Sequence, residues 1–219
     1  MNEGILSDTA ILAAIESGDI EIDPFVPEHV NITSYDLTLG TQVKVYEDWV
    51  TVDTHAEKAF PDCTKDGGSL KVRDFSGGSY YNPSRLAHDI KKPLKTLDFN
   101  IDPDLGWVLN PGIGYLLHTR ERVCSKKYNP ILDGKSSIAR LFIQVHFTAG
   151  FGDPGYSGPY TLEVSVLHPV RVYPGMRFCQ IRFHTIAGEL SKTYDQVGHY
   201  TGVHAQGAVA SQAWRQFKP

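Results

Sequence analysis

PYTLEVSVLHPVRVYPGMRFCQIRFHTI, residues 159–186, decides the fold class. In its first run Thr161, Glu163 and Ser165 alternate with Leu162, Val164 and Val166. A strand sends such alternate residues to opposite faces. The second run, 170–186, is interrupted by Pro174-Gly175, a turn dipeptide. Working toward the N-terminus, ARLFIQVHFT (139–148) and WVLNPGIGYLLHTRERV (107–123) have the same strand-like character. Short β-like runs separated by Pro-Gly and Asp-Pro-Gly turns predict a mainly β protein, a distorted barrel or double-sheet fold. SDTAILAAIESG (7–18) reads as one N-terminal helix, with Ser7 or Asp8 as cap, Ile11, Leu12 and Ile15 as the apolar stripe, and Gly18 as stop. DIEIDPF (19–25) and SYDLTLGTQVKVY (34–46) are expected to be half-buried strands.

The 219 residues suit a single domain spanning 1–219, large enough to bury a core without disulfides. A net charge of −4 offers no electrostatic footprint for a nucleic-acid backbone. It leaves room for a small anion held by a few Lys, Arg and Mg²⁺. Cys63, Cys124 and Cys179 are widely spaced and odd in number, which fits reduced thiols in the cytoplasm. The acidic N-terminus shows neither a signal peptide nor a membrane span.

Two segments stand apart. Residues 61–88 are rich in Gly, Ser, Asp and Pro and are expected to be a loop insertion rather than a second domain. Overlapping their start, HAEKAFPDC (55–63) resembles the opening of a zinc-dependent nucleobase deaminase motif. Such a site needs a second thiolate after Pro-Cys, and Cys63-Thr64-Lys65-Asp66 supplies none. The stretch is therefore read as a polar loop, with no zinc. The tail, 196–219, is either a frayed terminus or a lid hinged on Gly202 and Gly207.

Polar density within strand-like sequence marks the candidate chemistry. Glu163 is either a solvent-face carboxylate or a general acid and base lining a cleft. Lys135, Ser136, Ser137 and Arg140, after Gly134, bring two hydroxyls and two cations together over six residues. That is either a phosphate donor set or a capped turn with a surface Arg. Asp153-Pro154-Gly155 is a turn whose carboxylate could bind a sugar hydroxyl or a metal.

GKSSIAR (134–140), VHFTAGFGDPGYSGPYTLEV (145–164), YPGMRFCQIRF (173–183) and QGAVAS (206–211), in that order, resemble the dCTP deaminase family, as do the opening GILSDTAILAAIESGDIEIDPF and SYDLTLG. The resemblance covers about 1–50 and 93–212. It implies a homotrimer of distorted, dUTPase-like β-barrels with active sites between subunits, dCTP as substrate, Mg²⁺ on the triphosphate and dTTP as a candidate inhibitor. It implies Glu163 as the proton shuttle, with Ser136 and Arg140 fixing it and the attacking water. Thr148 and Ala149 would hold base and water through their backbone. Lys135, Ser136 and Ser137 would face the phosphates, Asp153 the deoxyribose, and Thr161 and Leu162 the pyrimidine. Tyr194 and Gln206 would cover the phosphates from the tail.

The chain departs from the family pattern in four places. His199-Tyr200 stands where a Lys-Tyr pair is usual, and extra residues precede Gln206-Gly207. Phe151 precedes the turn where one-activity members carry Arg, and Gly152 replaces the usual Ile or Val. Phe151 resembles members that also cleave dUTP to dUMP, whereas QGAVAS resembles those that stop at dUTP. The reading taken is zinc-independent deamination of dCTP to dUTP and ammonia. The alternatives are a bifunctional deaminase and dUTP diphosphatase, and a non-catalytic nucleotide-binding trimer.

Overall fold

A computed structural model describes residues 4–47, 68–69, 88–200 and 207–217 of the chain. The HAE stretch, nearly all of the 61–88 insertion, and Gln206 lie outside the described residues.

The first helix, α1 (Asp8–Glu16), begins where Ser7 Oγ accepts the Ala10 N–H at 3.4 Å, and it buries Ile11 and Ala14. Gly18, at φ +73°, turns the chain into β1 (Ile20–Asp23). Then come β2 (Val30–Asn31), β3 (Ser34–Thr38), β4 (Gln42–Tyr46), β5 (Gly68–Ser69) and β6 (Thr96–Asn100). β7 (Trp107–Leu109) and β8 (Tyr115–Ser125) flank the expected Pro111-Gly112 turn. β9 (Asn129–Gly134) leads into the single helical turn α2 (Ser136–Ala139). After β10 (Ile143–Gln144) come β11 (Ser157–Val166), β12 (Val170–Val172) and β13 (Arg177–His184). A short helix, α3 (Tyr194–Val197), opens the tail.

These strands form three sheets. The largest runs β10-β11-β8-β4-β6, with β1 also paired to β8; the others run β2-β3-β13-β9 and β12-β7-β5. The alternation read in 159–166 is realised. Leu162 and Val164 are fully buried, while Thr161, Glu163 and Ser165 are half-buried on the other face. Leu162 and Val164 belong to one core cluster with Phe178, Ile181 and Phe183 of the four-stranded sheet. Burial of each such side chain is worth about 1.5–3 kcal/mol, so this face fixes the register.

Two expectations need correction. SYDLTLG is not half-buried, because every residue of β3 is buried. Its polar members survive there by pairing. Asp36 binds Lys135 Nζ through both carboxylate oxygens (2.8 and 2.7 Å), and Thr38 donates from its hydroxyl and N–H to Glu121. The run 139–148 is not a single strand. Only Ile143 and Gln144 pair, and Phe142 turns the chain at φ +55°. Ile143 and Val145 are buried, whereas Leu141, Phe142 and Phe147 are each about half exposed. The short helical turn before them breaks the alternation that a strand needs.

Candidate active site

β11 pairs antiparallel with β8 from Ser157↔Cys124 to Val164↔Tyr115, with a register shift between Pro159 and Thr161. Such a bulge re-aims the side chains beyond it. β10 covers the other edge of β11 only at Ser165 and Val166. The ladder therefore leaves the edge beside Leu162 open among the described residues.

The half-buried face of β11 forms the wall of a cleft of about 420 Å³. Tyr46, Phe151, Tyr156, Tyr160, Tyr194 and Tyr200 give it an aromatic lining. Its two carboxylates are Glu163 and Asp153. Burial pushes the Glu163 carboxyl above the usual range. Its own N–H, the charge of His146 and the Phe147 N–H oppose that shift. A carboxyl so placed both takes and returns a proton near neutrality more readily than an exposed one. Glu163 thus stands half-buried in a cleft. Burial drives the Tyr156 and Tyr160 phenols far up, so both remain neutral donors.

Thr161, Ala149, Asp153 and Tyr194 meet Glu163 in this cleft. The Leu162 side chain points into the core, which leaves only its backbone for a ligand. Asp153 begins a turn in which Tyr156 N–H donates back to the Asp153 carbonyl at 3.3 Å. Gly155, at φ +90°, completes the turn, and a Cβ there would lie 2.6 Å from an Asp195 carboxylate oxygen. Tyr194 N–H donates to the Pro154 carbonyl at 2.8 Å, so α3 is fastened to that turn. Thr148 is exposed and Ala149 sits at the rim.

The GKSSIAR residues stand elsewhere. Lys135 is bound to Asp36, Ser136 and Ser137 are exposed, and Arg140 donates from Nη1 to the Ser136 carbonyl at 3.2 Å. None of the four lines the cleft of Glu163. One chain therefore does not bring the two halves of the expected site together.

Several cleft residues escaped sequence reasoning. Tyr46, Tyr156, Tyr160, Tyr200, Val209 and Ser211 come from three distant segments. His146 lies within electrostatic reach of Glu163, and its buried Nδ1 has no partner among the described residues. The one available signal was the crowding of Tyr and Phe around GDPG. Gly152, odd in sequence, is explained by space. A Cβ there would sit 2.9 Å from Pro130 Cγ and 3.0 Å from the Tyr160 hydroxyl.

Among the described residues, no group of three or more His, Cys, Asp and Glu side chains could hold a metal ion. The donors the cleft does offer, two separate carboxylates and several phenols, suit an ion that arrives on phosphate oxygens rather than one caged by the protein. No helix among the described residues is long and apolar enough to cross a membrane.

The family profile described as dCTP deaminase-like matches residues 5–186. A protein of Clostridium acetobutylicum named "dCTP deaminase, dUMP-forming" is 35% identical over 174 residues, covering 80% of this chain and 79% of its own. A Cytophaga hutchinsonii protein of the same name is 35% identical over 200 residues, 91% of each chain. The solved 2′-deoxycytidine 5′-triphosphate deaminase from Agrobacterium tumefaciens shares the fold at a TM-score of 0.54 and 23% identity. The match covers 87% of this chain and spans about half, 51%, of that one. The names of the sequence relatives correct the expectation of a deaminase whose product is dUTP. They side with the signal at Phe151 and against the signal in QGAVAS. Val209 and Ser211 of that motif line the cleft and pack on its wall, a structural duty common to either outcome.

Proposed function

The chain belongs to the dCTP deaminase-like family, and from that premise we propose that it converts dCTP to dUMP, ammonia and pyrophosphate. The observation that carries the chemistry is Glu163, a half-buried carboxylate of raised proton affinity on a rigid strand in an aromatic cleft. Water attacks C4 of the cytosine. Glu163 takes a proton from that water and delivers it to the ring nitrogen; the remaining proton of the new C4 hydroxyl then passes to the exocyclic amine, which leaves as ammonia as the C4 carbonyl forms. A second water then displaces pyrophosphate at the α-phosphorus of the bound dUTP. The relatives named dUMP-forming support this second step. Mg²⁺, carried on the triphosphate, would neutralise phosphate charge during it.

The same reading places the complete site between subunits of a trimer. Ser136, Ser137 and Arg140 are exposed and remote from the cleft of their own chain. Leu141, Phe142, Phe147, Phe151 and Leu167 are exposed at 49–68%, apolar surface that a partner subunit would cover. Ser136 and Arg140 of one subunit would fix the water and Glu163 of the next. The backbone of Thr148 and Ala149 would cradle the base, and the tail from 196 onward would cover the phosphates.

Two experiments test this. Anion-exchange analysis of dCTP incubated with Mg²⁺ should show dUMP and pyrophosphate, with dUTP converted as well. Accumulation of dUTP as the end product would overturn the diphosphatase step, and unchanged dCTP would overturn the deaminase. Mixing two inactive variants, Glu163→Gln and Arg140→Ala, should restore about one quarter of the sites if each site draws on two subunits of a ring. Absence of complementation after subunit exchange would place the site within one chain.

A further inference from the structure

The tail does not leave the protein after α3. Residues 207–212 lie along the half-buried face of β4, where Gln42, Lys44 and Tyr46 stand at every second position. At one end, a Cβ on Gly207 would sit 2.1 Å from Gln42 Oε1, so the backbone itself rests on that side chain. At the other end, Ser211 N–H donates to the Tyr46 hydroxyl at 3.1 Å. Gly207 to Ser211 and Gln42 to Tyr46 are equal steps in sequence. Between these ends, Val209 N–H donates to Thr161 Oγ1 at 3.0 Å, on the strand that carries Glu163.

Tyr46 occupies a junction. Its ring lines the cleft of Glu163 on one side, and on the other a second cavity of about 300 Å³ formed with His88, Leu94 and Trp214. The ring meets His88 edge-on at 4.7 Å, which fixes its plane. Burial chiefly raises the phenol, and the nearby charge of Glu163 adds to that, so the two groups lie within electrostatic reach. The hydroxyl that accepts the Ser211 N–H keeps its own proton available to the cleft.

We propose that Tyr46 is a positioning residue of the nucleotide site, whose hydroxyl locks the C-terminal strap onto the β4 face beside Glu163. This rests on the deaminase reading above. By seating the strap before substrate arrives, the phenol removes part of the ordering that a nucleotide would otherwise have to impose.

Tyr46→Phe in the full chain tests this, because it keeps the ring against His88 and removes only the acceptor. A hydrogen bond of this kind is worth about a five-fold change in an equilibrium. Amide exchange at Ser211 in the free protein should quicken about five-fold. The KM for dCTP should rise by a similar factor while kcat stays within about two-fold. Unchanged exchange at Ser211, with the fold intact, would overturn the lock. Faster exchange with an unchanged KM would overturn the positioning role and leave the strap a passive tail. A wild-type protein that turns over no dCTP would sink the underlying reading and the kinetic role with it. The exchange measurement, which needs no substrate, would still decide whether Tyr46 holds the strap.

Discussion

Glu163→Gln separates chemistry from scaffold. Gln has the same length and keeps a carbonyl oxygen for the Phe147 N–H, but it holds no charge and takes no proton near neutrality. A positioned general base contributes about 10²–10⁴ in rate, or about 3–5 kcal/mol of barrier. Deamination should fall by that factor, read as ammonia released from saturating dCTP, while a dCTP-induced melting shift persists. The scaffold should respond in the opposite sense. Burial raises the folded-state proton affinity of Glu163 above its ordinary value of 4.5. From 4.5 up to that raised value, the native state binds more protons than the unfolded chain. Stability therefore falls as pH rises through this window, and the cost of the buried charge is fully present above it. Gln carries no such cost, so the variant should melt no lower than wild type at neutral pH, with any advantage gone below pH 4.5. A variant that deaminates within about ten-fold of wild type would refute the role of Glu163. One that melts well below wild type would refute the claim that its charge is held against a burial cost.

Other parts of the molecule make separate predictions. Gly152→Ala should cost about 1–3 kcal/mol, because the new Cβ meets Pro130 on two sides and the Tyr160 hydroxyl. At about 2–4 °C per kcal/mol, thermal melting reads this directly, and an unchanged midpoint would mean that Pro130 and Tyr160 yield. His118 is buried, with Nδ1 donating to the Thr119 carbonyl (2.8 Å) and Nε2 accepting the Gln42 N–H (3.2 Å), and burial lowers its proton affinity from 6.5. Below 6.5 the unfolded chain binds the extra proton first, so His118 should withdraw stability as pH falls. Urea unfolding across that range should lose this slope in His118→Gln. Chelation of Mg²⁺ should stop pyrophosphate release and added Mg²⁺ should restore it, while a zinc-selective chelator should leave turnover intact. Stoichiometric zinc in the purified protein would bring the His55–Cys63 stretch back into the chemistry.

What could be read in advance was the part of the fold written in local alternation. Leu162, Val164 and Val166 announce a core face by their spacing alone, and the structure buries all three. Pro111-Gly112 and Pro174-Gly175 announce turns because their backbone preferences are local as well, and both glycines take φ near +78°. Alternation failed at β3, where Asp36 and Thr38 look solvent-facing. Their partners Lys135, Arg177 and Glu121 are 83 to 141 residues away, and no window of sequence shows that a charge will be met inside. It failed again at 139–148, where Leu141 and Phe142 look like core and remain exposed. Their spacing is that of a core strand, but the helical turn at 136–139 and the positive φ of Phe142 take them off any strand.

The site divides along the same line. Alternation alone left Glu163 on either a solvent face or a cleft, and only the family resemblance singled it out; the fold puts it on the half-buried face of β11. Lys135 was expected at a phosphate by its neighbours in GKSSIAR, yet its ammonium sits 2.7–2.8 Å from Asp36. A buried carboxylate at no exposure outcompetes solvent for that cation, and releasing it would strand a charge in the core. The order of the motif therefore does not dictate which of its donors are free. Ser136, Ser137 and Arg140 are exposed on the helical turn that the Lys135–Asp36 pair anchors. Lys135 serves them by holding the turn in place. Tyr46 stands to the strap as Lys135 stands to that turn: each fastens a segment outside the sheets to a strand of the core.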